Sequence, residues 1–92
     1  MPTPEEPTFT ERAKAHIDLS NTQSHKAPAD QVAMSMLYAA ARYCAHLCIR
    51  GNASGVEMFE RRDEAAKIFD AQFHQMFLDC YDEYARRFDR NS

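Results

Sequence analysis

With 92 residues, 45% of them hydrophobic and 27% charged, the chain has room for one domain with a modest core. A net charge of −3 gives no overall field for nucleic acid, and two glycines are too few to build a phosphate-cradling loop. Three cysteines do not make the even set of a disulfide scaffold; with no secretory signal at the N-terminus, the expectation is a reducing, cytoplasmic setting.

Pro2, Pro4 and Pro7 make residues 1–7 a flexible tail, and a single helical domain is expected over 8–89. The first helix is predicted over 8–25. Thr8 and Glu11 have capping-box spacing, in which each side chain satisfies a free N–H of the other. The apolar face is sparse: Phe9, Ala13, Ile17 and Leu19, with His16 and Ser20 near its centre. A histidine in that place reads as a core residue held by a single hydrogen bond.

Pro28 breaks the pattern, and Asp30 is the expected N-cap of the second helix, with Pro28 as the competing boundary. That helix should run to about Arg50. Its apolar residues cover most of the circumference, leaving Ser35, Arg42 and His46 as a narrow polar strip, and a helix of that kind is expected to be buried. Its longest uncharged run, 31–41, is about half the length of a membrane span, so no membrane association is expected. Arg42 in a buried helix needs an anion, most simply an acid of the third helix.

Gly51 and Asn52 offer a left-handed cap, and Ser54 with Glu57 repeats the capping-box spacing. A third helix then meets no proline or glycine to about Asp89. Phe59, Ala66, Phe69, Phe73, Met76, Phe77, Cys80, Tyr84 and Phe88 recur at helical spacing along it. Glu57 with Arg61, Asp63 with Lys67, Asp82 with Arg86, and Glu83 with Arg87 stand four apart with the acid first, the favoured order on a solvated face.

At 1.5 Å per residue the helices are roughly 27, 30 and 52 Å long. Two short helices cannot cover the long one, so either its end with Tyr81, Tyr84 and Phe88 or its first turns before Ala66 overhang. The predicted fold is therefore all-α, a three-helix bundle with a long C-terminal helix, completed by dimerisation or by another protein. The alternative is a monomeric three-helix bundle in which the long helix breaks near residues 61–63 and folds back. Tyr38, Arg42, Tyr81, Tyr84 and Phe88 are the candidate partner-binding residues.

Catalytic chemistry finds no footing, and an enzyme is not expected. There is no H-E-x-x-H, C-x-x-C or G-x-S-x-G, and the adjacent acid pairs diverge by about 100° on a helix. Cys44 and Cys48 share a helix face, but neither His46 nor His74 points with its neighbouring cysteine. The three cysteines therefore read as small buried hydrophobes, with no metal and no cofactor implied.

The stretch F-T-E-R-A-K-A-H-I-D-L-S-N-T-Q at 9–23, L-Y-A-A-A-R-Y at 37–43, R-D-E-A at 62–65 and Y-x-x-x-F-D at 84–89 together resemble a family of small proteobacterial proteins, domain of unknown function 3144. The resemblance spans 9–89 and departs from the family at Pro28 and Asp30, where a glycine is usual. It implies a small helical protein and carries no activity across. Its polar matches, Asn21, Gln23, Arg42 and Asp89, are positions to test. The alternative reading is a small-ligand or metal-binding helical protein using Arg42, His46 and the cysteines, with Asn21 and Gln23 as further ligand-binding candidates.

Overall fold

The computed structural model describes residues 6–91, with side chains as far as Phe88; of the expected tail, residues 1–5 lie outside the described residues. The fold is all-α. The elements are α1 (Phe9–Gln23), α2 (Ala29–Leu47), a 3-10 turn (Cys48–Gly51), α3 (Gly55–Glu60) and α4 (Arg62–Asn91). The chain divides into two compact units, one ending at Leu47 and the other beginning at Cys48.

In the first unit, α1 starts as its sequence requires. The Thr8 hydroxyl accepts from the Glu11 N–H, and the Glu11 carboxylate accepts from the Thr8 N–H, each at 3.1 Å. Both orphan donors of the first turn are thereby satisfied. At the other end the Ser24 N–H reaches the Ser20 carbonyl at 2.9 Å, and the Ser24 hydroxyl donates to the Asn21 carbonyl at 2.8 Å. A short connection then returns the chain, and α2 packs back on α1. Pro28, not Asp30, begins α2: its carbonyl accepts from Gln31 and Val32, both at 3.1 Å, and Asp30 falls in the first turn. Proline has no N–H to leave unsatisfied there, and an acid one turn in meets the positive end of the helix dipole.

The hairpin closes on small side chains. Val32 is the one buried apolar side chain among the described residues, at 6% exposure, and Ala13, Ser20 and Ala27 are half-buried. Burying a valine contributes about 1.5–3 kcal/mol, so little but close backbone approach holds the two helices together. The expectation of a buried second helix is thus corrected. Met34, Leu37, Tyr38, Tyr43 and Ile49 are exposed on it. Its 23-residue stretch Ala29–Gly51, with a hydropathy of 1.3 over its most apolar window, is long and apolar enough to cross a membrane by length and composition. His16 is exposed as well, not a core residue, because the thin face of α1 gives it nothing to be buried against.

In the second unit, Gly51 does not take a left-handed conformation. The chain tightens into the 3-10 turn, and the Asn52 side-chain amide caps it by donating to the Cys48 carbonyl at 2.7 Å. The Ser54 hydroxyl accepts from the Glu57 N–H at 3.1 Å, but the Glu57 carboxylate reaches the Ala53 N–H at 3.3 Å, one residue before the box position. The expected single third helix is broken at Arg61, whose φ of −97° and ψ of 4° separate α3 from α4. No proline or glycine forces this. The Arg61 guanidinium folds back to the Gly51 carbonyl at 3.1 Å and the Asn52 side-chain oxygen at 3.4 Å, and pairs with Glu57 at 3.2 Å. Those contacts hold α3 against the preceding loop. α4 then runs for 30 residues, about 45 Å.

Candidate functional site

Tyr38, Arg42 and His46 lie one turn apart along α2. The Arg42 guanidinium donates to the Tyr38 hydroxyl at 3.5 Å, and both residues are exposed. Within its own unit no carboxylate pairs with Arg42 among the described residues. On an exposed strip the guanidinium stays hydrated, and the penalty that would demand an ion pair does not arise. Gln23 lines an open hollow of about 420 Å³ at the hairpin turn, together with Lys26, Ala27, Gln31, Val32 and Ser35. Arg42 is eleven residues past Gln31, about 16 Å along α2. The hairpin therefore puts Asn21 and Gln23 at its turn and Arg42 and His46 well along the second helix.

Along α4 the side chains line up as the spacing predicts. The Phe73 and Phe77 rings are 6.0 Å apart and the Phe77 and Tyr81 rings 5.7 Å apart. The Arg87 guanidinium sits 5.8 Å over the Tyr84 ring and pairs with Glu83 at 2.9 Å. Glu57 with Arg61 and Glu83 with Arg87 form as expected, whereas Asp63 pairs with its neighbour Arg62 at 3.5 Å. No ion pair joins Asp82 to Arg86 or Asp63 to Lys67 among the described residues. Tyr81, Tyr84 and Phe88 are all exposed, and so are Phe69, Phe73, Met76 and Phe77. Asp89 is in the helix backbone.

The cysteines divide. Cys44 and Cys48 are half-buried, but Cys80 is exposed on the aromatic side of α4, so the reading of three buried hydrophobes fails for it. Its face has no second layer in its own unit to bury it. The partner-binding set from sequence stops at Tyr81 on its N-terminal side. Phe69, Phe73 and Phe77 belong to the same exposed row, and the signal for them was present: Phe69 to Cys80, Phe73 to Tyr84 and Phe77 to Phe88 are each eleven apart. Eleven residues turn an α-helix to within about 20° of three full turns, so residues at that spacing stay on one side of it.

Among the described residues Glu11 is the one group whose carboxyl is clearly shifted, below the ordinary range, first by the hydrogen bond from the Thr8 backbone and then by that from its side chain. It belongs to the α1 cap.

No curated protein matches this chain, and no solved structure does. One family model matches residues 9–85, most of the chain, and it is described as a protein of unknown function, DUF3144. The match includes Tyr84 and stops short of Phe88 and Asp89, which the Y-x-x-x-F-D resemblance had included. By that match the chain belongs to the DUF3144 family.

Proposed function

We propose that the protein is a non-catalytic association module that works as a homo-oligomer. The observation that carries this reading is the distribution of its apolar side chains. Among the described residues Val32 alone is buried, while aromatic and aliphatic side chains stand exposed on both α2 and α4. Exposed patches of this extent mark protein contacts more often than they mark free surface. A dimer is the simplest closed solution, because an isologous contact lets one face cover its own copy.

A membrane is the less favoured cover for α2. Arg42 lies within about 3 Å of the middle of Ala29–Gly51, and a charged side chain at the bilayer centre costs roughly 2.5–3.5 kcal/mol. The cytoplasm suits the thiols of Cys44, Cys48 and Cys80. Size-exclusion chromatography with light scattering at low micromolar concentration tests the proposal. A species heavier than 10.6 kDa supports it, and a clean 10.6 kDa species overturns it.

A further inference from the structure

We draw no further inference here: the strongest candidate, the exposed aromatic row of Phe69, Phe73 and Phe77 on α4, carries nothing beyond the association already proposed, because nothing in the structure shows what covers it.

Discussion

Phe73 and Phe77 stack with ring centres 6.0 Å apart and planes inclined by 27°, one turn apart on the open side of α4. Neighbouring rings on one helix hide only part of each other. Their outer faces stay wet, and with Tyr81, 5.7 Å from Phe77, they form a continuous apolar row. Isolated exposed aromatics are ordinary on protein surfaces, but a row of them is a contact waiting for cover. At the C-terminal end of that row, Tyr84→Ala combined with Phe88→Ala is expected to weaken association at least about tenfold. Light scattering over a dilution series measures this, and a double variant that assembles and melts like wild type would place the interface elsewhere.

The α1–α2 hairpin depends on one side chain more than on any other. Val32→Ala truncates the one buried apolar side chain among the described residues. The expected loss is about 1–2 kcal/mol of stability, read as a lower denaturation midpoint with an unchanged slope. Met34→Ala, on an exposed position of the same helix, is the control, and it should cost less than Val32→Ala in the monomer.

Arg61 ties α3 to the loop before it through the Gly51 carbonyl, the Asn52 side chain and Glu57. Arg61→Ala should open this segment first. Amide hydrogen exchange is expected to speed up over residues 52–60 while the middle of α4 stays protected. Arg61→Lys is expected to rescue part of the loss, because all three acceptors gather at one guanidinium nitrogen, Nη1, and an ammonium carries three donors. Equal acceleration throughout α4 would show that Arg61 supports the whole unit and not the local bend.

The α1 cap makes a titration prediction. Glu11 is held below the ordinary carboxyl range in the folded chain. Its contribution to stability is therefore fully present above the unfolded value and is lost as pH falls through the lower folded value. Thr8→Ala removes the hydroxyl partner and should move the Glu11 carboxyl upward, toward its ordinary value, in an NMR titration. An unmoved carboxyl would mean that the hydroxyl has no part in holding it.

Much of this was legible in the residues. Helix type, the turn at Pro28, the reciprocal Thr8 and Glu11 cap and the aromatic row on α4 follow from spacing and side-chain chemistry alone. Asp30 was misplaced by one element of grammar: a good capping residue stood two positions after a proline that could start the helix itself. The break at Arg61 was legible only as the alternative for a lone bundle, whose long helix breaks near 61–63; the guanidinium that holds the bend returns nine or ten residues along the chain, and no local propensity encodes that. The burial of α2 was misread for a related reason. A helix apolar nearly all round is buried only when something covers it, and its sequence cannot say that its neighbour α1 offers a thin face of small side chains.

The central claim is that this chain covers its apolar helix faces with another copy of itself. Sedimentation equilibrium of the full-length protein at several low micromolar concentrations tests it most directly. The account predicts a mass of two chains of 10.6 kDa, falling toward one chain only on dilution. A single-chain mass that holds at every concentration would contradict it.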